Sequence, residues 1–115
     1  MSQPQISRGA IVRARNFVGV LWQADDDAPY VIPLVVQGAG RHRSDVRYDE
    51  PLLPSHGALR AGALTAVRST ITITGRVSDT TVAALDAALR REVRAVQFES
   101  RFLPHPGATE RAVRM

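Results

Sequence analysis

One stretch of this chain is satisfied only as a long amphipathic helix with an apolar surface beneath it. Val82, Leu85, Leu89, Val93 and Val96 recur at steps of three and four, which places all five on one helical face. Ala83, Ala84, Ala87 and Ala88 between them add helix propensity. Ser78 can cap the start, Asp79 suits the positive end of the helix dipole, and Arg90, Arg91 and Arg94 suit the negative end. The spacing predicts a helix over 78–96. An apolar stripe of that length needs a second layer to cover it.

The residues before the helix offer strands for that layer. Residues 9–15 end in alternating apolar and basic positions, and Phe17-Val18-Gly19-Val20-Leu21-Trp22 is a second apolar run. Asp25, Asp26 and Asp27 with Ala28-Pro29 read as a solvated turn. Tyr30 to Val36 is the most β-prone stretch, although Pro33 lacks an N–H and predicts an edge, a bulge or a break there. Residues 37–44 form a glycine-containing basic loop, and Asp45 to Tyr48 read as a short alternating strand. Two prolines and a glycine make residues 51–57 irregular. Residues 62–67 read as another strand, and Thr70-Ile71-Thr72-Ile73-Thr74 alternates strictly. Pro104-His105-Pro106-Gly107 breaks any regular structure in the tail. The expected fold class is therefore α+β: a small, strongly bent antiparallel sheet or barrel over about 7–77, one helix, and an extension over 97–115. All 115 residues are expected to form one domain.

Composition removes several classes of chemistry. There is no cysteine, so disulfides, thiolate metal sites and cysteine nucleophiles are excluded. His42, His56 and His105 lack ligand spacing, and three adjacent aspartates diverge in direction, so neither a metal nor another cofactor is expected. Gly38-Ala39-Gly40 is too short for a dinucleotide loop, and no phosphate-binding loop or serine elbow is present. No apolar run approaches the roughly 18 residues of a membrane span, and Met1 to Gln5 holds no signal-peptide core. No membrane contact and a cytoplasmic location are expected. The 15 basic residues are all arginine, against 11 acidic ones, for a net charge of +4. That net charge is modest and by itself does not point to nucleic acid, and a basic set made only of arginine also follows from a GC-rich coding sequence.

Four motifs, read in order, carry a resemblance. They are Arg8-Gly9-Ala10-Ile11-Val12, Val31-Ile32-Pro33-Leu34, Ala63-Leu64-Thr65-Ala66-Val67-Arg68-Ser69, and Gly75-Arg76-Val77-Ser78 followed by Val82, Leu85-Asp86 and Ala88-Leu89-Arg90. Over about 7–96 this series resembles the MazF/PemK family of toxins from toxin–antitoxin pairs, whose small SH3-like barrel is shared by a gyrase poison. The resemblance implies a metal-independent endoribonuclease that cleaves single-stranded RNA by attack of the ribose 2′-hydroxyl. It also implies a homodimer paired through the sheet and a cognate antitoxin with an acidic, disordered tail.

Under that resemblance Arg68 matches the family's phosphate-binding arginine, and Arg15 is the second candidate. Two positions depart from the pattern: Asn16 stands where the family carries an arginine, and Val35 replaces a threonine. His42 is the candidate for proton transfer, since histidine titrates near neutrality. Flanking Arg41 and Arg43 disfavour a further positive charge on its ring. Arg13, Arg41, Arg43 and Arg47 are the candidate RNA contacts. Two alternatives stand beside the nuclease: a catalytically degenerate binding or dimerisation module, and a toxin that poisons a protein target such as gyrase. The last depends on the end of the helix, where Phe98 and Phe102 here lead into a different tail.

Overall fold

A computed structural model describes residues 8–24 and 28–102, with side chains up to residue 97. Asp25 to Asp27 and residues 103–115, including the proline-rich break in the tail, lie outside the described residues. Among the described residues, seven strands precede the helix. They are β1 (Ala10–Ala14), β2 (Phe17–Ala24), β3 (Pro29–Val35), β4 (Asp45–Val46), β5 (Ala58–Arg60), β6 (Thr65–Ala66) and β7 (Thr72–Arg76). A 3-10 turn, Ala61–Ala63, links β5 to β6, so the strand expected over 62–67 shrinks to Thr65–Ala66.

All pairings are antiparallel, in the order β4-β5-β3-β2-β1-β7. β6 is an extra partner on β3. Among the described residues the ladder ends at β4 and β7 without a closing pair, so of the expected sheet or barrel it is the open sheet that forms. β3 organises it. One side pairs with β2, while the other pairs first with β6 at Tyr30 and Val31, then with β5 at Leu34 and Val35. Pro33 falls between those two outer partners, so β3 continues through its missing donor. Opposite it sits Gly19, where a Cβ would come within 2.5 Å of the Ile32 carbonyl oxygen.

Alternation along β1, β2 and β3 makes both faces of the sheet apolar. Ile11, Val20, Trp22 and Ile32 pack with Leu53, Leu59, Val77 and Leu85 on the helix side. Ala10, Val12, Ala14, Leu21 and Val31 pack with Val67 on the other. Arg8 lies 4.3 Å from the Trp22 ring centroid and donates to the Trp22 carbonyl at 3.0 Å.

The helix α1 spans Asp79–Phe102, six residues past the expected end. Ser78 caps it by accepting from the Thr81 N–H at 3.3 Å. Leu85 and Ala88 are buried against the sheet, but Val93 is 54% and Val96 49% exposed. The apolar face the sequence encodes therefore outruns the surface that covers it. No described helix is long and apolar enough to cross a membrane.

Candidate nucleic-acid interface

The basic loop between β3 and β4 is a pinned structure. Gly38 and Gly40 adopt φ of 75° and 85°, a region that favours glycine. Their turns aim backbone donors at one carboxylate. Asp45 Oδ2 accepts from the Gly40 N–H at 2.8 Å and the His42 N–H at 3.2 Å. Arg60 grips the same carboxylate with Nε at 2.7 Å from Oδ1 and Nη2 at 3.0 Å from Oδ2, and also reaches the Gly38 carbonyl at 3.2 Å. The Asp45 side chain is 1% exposed. Hydrogen bonds from Arg60, then from the loop N–H groups, hold its carboxyl at about 2 instead of the ordinary 3.8, against the cost of burial.

This loop presents the candidate RNA contacts unequally. Arg43 is committed to Glu92 on α1, at 2.9 and 3.1 Å. Arg41, and Arg47 just after β4, are exposed, and their side chains make no hydrogen bond or ion pair among the described residues. A pocket of about 130 Å³ opens beside Arg47, lined also by Gly40, Tyr48, Ser55, His56 and Gly57. Its wall is set by the Tyr48 hydroxyl, which donates to the Pro54 carbonyl. Gly57 allows that approach, since a Cβ there would sit 2.6 Å from the hydroxyl oxygen. Burial pushes the Tyr48 phenol above its ordinary value. His56, which has no metal-ligand spacing in the sequence, shares this pocket with Arg47. The Arg47-Tyr48 dipeptide, a cation beside an aromatic ring, was the available signal.

A second cavity of about 430 Å³ lies across Arg47 and Tyr48, lined also by Asp49, Ser78, Thr80, Thr81 and Ala84. It is unsuited to an anion. Glu50 already occupies the helix start, accepting from the Ser78 N–H at 3.1 Å, the Ser78 hydroxyl at 2.8 Å and the Thr81 hydroxyl. Burial raises the Glu50 carboxyl, and bonds from Thr81 and Ser78 outweigh that to leave it below its ordinary value.

The three candidate catalytic groups are spread across the fold. Arg15 lies in the turn between β1 and β2, next to the rung from Ala14 to Phe17, with Arg13 exposed nearby. Arg68 follows Val67, whose N–H donates to Pro29 at 2.9 Å, at the end of β2 where Ala24 pairs with Pro29. The eight residues of β2 separate those ends, a span of roughly 23 Å at about 3.3 Å per residue. His42 lies in the loop just before β4, the edge strand three places from β2 in the sheet. No protein-family model and no curated protein matches this chain.

His42 is also turned away from the base role. Its Nδ1 accepts from the Ser44 N–H at 3.0 Å and lies 2.7 Å from the Ser44 hydroxyl, which accepts from the Gly62 N–H at 2.9 Å. An Nδ1 that accepts leaves the ring proton on Nε2. The neutral ring can then offer solvent a donor but no acceptor. Among the described residues, no three His, Asp or Glu side chains converge to hold a metal ion.

Proposed function

We propose that this chain is a small polyanion-binding module whose ligand is single-stranded RNA, held at Arg41, Arg47 and the His56 pocket. The observation that carries the reading is a pair of arginines whose side chains are unpartnered among the described residues: Arg41 on the loop held by the Asp45–Arg60 grip, and Arg47 just after β4, lining a polar pocket. Two phosphate contacts from such a loop cost little ordering on binding. Tyr48, His56 and the pocket between them suit one unstacked nucleotide.

A metal-independent ribonuclease toxin of the MazF/PemK kind is the second reading. Arg68 favours it, being exposed and without a bonding partner among the described residues. In that reading an acidic antitoxin tail would compete with RNA for the same arginines. The scatter of Arg15, Arg68 and His42, with Asn16 and Val35 at two family positions, places binding first.

The test is fluorescence anisotropy of a labelled, unstructured RNA in EDTA, with the RNA then run on a denaturing gel. Two phosphate contacts predict a slope of log affinity against log salt of about −1.4. Arg47→Ala is expected to flatten it by about 0.7. Salt-independent or absent binding refutes the reading. Discrete fragments that vanish in Arg68→Ala establish the nuclease.

A further inference from the structure

We infer that the exposed apolar ridge of α1 is covered by a second copy of this chain, with the two helices side by side and parallel. This rests on the helix alone and is independent of the RNA reading. It also differs from the sheet-mediated pairing that the family resemblance implies.

Leu89, Val93 and Gln97 form one row at spacing of four along α1, with Val96 beside it. The row stands between two open grooves. One, about 250 Å³, lies between α1 and the turn at Ala61 and Gly62. The other, about 370 Å³, lies on the Arg90 and Arg94 side. A row of this spacing with a groove on each flank packs against its own image.

The rims decide orientation. Glu92 edges the first groove, and Arg90 and Arg94 edge the second. A two-fold pair of parallel helices sets each rim against the opposite one, so the arginine rim meets the partner's Glu92, twice. An antiparallel pair sets like rims together, which costs energy. Arg94 has no bonding partner among the described residues of its own chain. Glu92 gives Arg43 one bond to each oxygen and keeps acceptor capacity on both.

The absence of cysteine makes the test clean. Val93→Cys and Val96→Cys are prepared separately, with Arg91→Cys on the opposite face as control, and each is mildly oxidised. Parallel pairing predicts disulfide-linked dimers from both valine positions and none from the control. An antiparallel pair centred on Val93 would hold the two 96 positions about 9 Å apart, beyond the roughly 7 Å that a disulfide spans. Dimers from Val93→Cys alone therefore overturn the orientation, and equal dimers from the control overturn the interface. Light scattering of the unmodified chain should show mass rising toward twice the monomer with concentration, and Val93→Asp should abolish the rise while matching the parent's melting temperature at dilutions where the parent is monomeric. A monomer at every concentration overturns the inference, as does a dimer that survives Val93→Asp.

Discussion

Replacing Asp45 with asparagine tests the architecture of the basic loop and its function together. The change keeps size and one acceptor but removes the charge that Gly40, His42 and Arg60 share. A carboxyl lowered from 3.8 to about 2 corresponds to roughly 2.5 kcal/mol at about 1.36 kcal/mol per pH unit. The loop is at the surface, where solvent screens the charges, so the expected loss at pH 7 is about 1–1.5 kcal/mol. Because the folded value lies below the unfolded one, the stabilisation is full above the unfolded value and disappears as pH falls through the folded one. The urea midpoints of the two proteins should thus differ from neutrality down to about pH 5 and converge between about pH 4 and pH 2. RNA binding gives a result of opposite sign to simple electrostatics. Removing an acid beside a polyanion site should tighten binding if charge alone matters. Loss of loop order should weaken it several-fold, with faster amide exchange at Gly40 and His42. Tighter binding by Asp45→Asn, or a stability gap that persists at about pH 2, refutes the reasoning.

Two further substitutions probe the frame that carries the loop. Glu50→Gln should cost about 2–3 kcal/mol at neutral pH in thermal denaturation, since an amide nitrogen replaces an acceptor facing Ser78 and Thr81. The folded Glu50 value is depressed, so this gap should narrow as pH falls below the ordinary glutamate value of 4.5. Gly19→Ala should cost about 2–3 kcal/mol, because its Cβ meets the Ile32 carbonyl oxygen and Val31 Cγ1, both at 2.5 Å. A melting temperature within a degree of the parent would show that β2 and β3 can separate at that rung.

The helix was legible because its period is local. Its cap at Ser78 and its buried Leu85 follow from spacing, and only its length differed. The exposure of Val93 and Val96 could not be read from the period, because it depends on where the sheet ends. The runs that became β1, β2 and β3 were visible as apolar segments. Closure into a barrel was not, since it depends on whether β4 and β7 meet, and both are far apart in sequence. Pro33 predicted an interruption that the change of partner along β3 absorbs. At the site, arginine-rich composition marked the loop, but its order comes from Arg60, 15 residues beyond Asp45. Glu50 binds the helix-capping residue Ser78, 28 residues later. Neither pairing leaves a local pattern to read.

The net charge of +4 understates how uneven the surface is. Asp45 is taken by Arg60, Glu92 by Arg43, Asp86 by Arg90, and Glu50 by the helix start. The cations left unpartnered among the described residues include Arg13 and Arg15 at one sheet end and Arg41 and Arg47 at the basic loop. Position and total charge can therefore be separated. Arg13→Ala with Arg15→Ala removes the same charge as Arg41→Ala with Arg47→Ala. If RNA senses only net charge, the two double variants should lose equal affinity and equal salt slope. If the loop and its pocket form the site, the second pair should flatten the slope by about 1.4 and the first should leave it near the parent value. Equal losses would move the interface from the loop to the general field of the protein. A loss confined to the first pair would place RNA at the turn between β1 and β2.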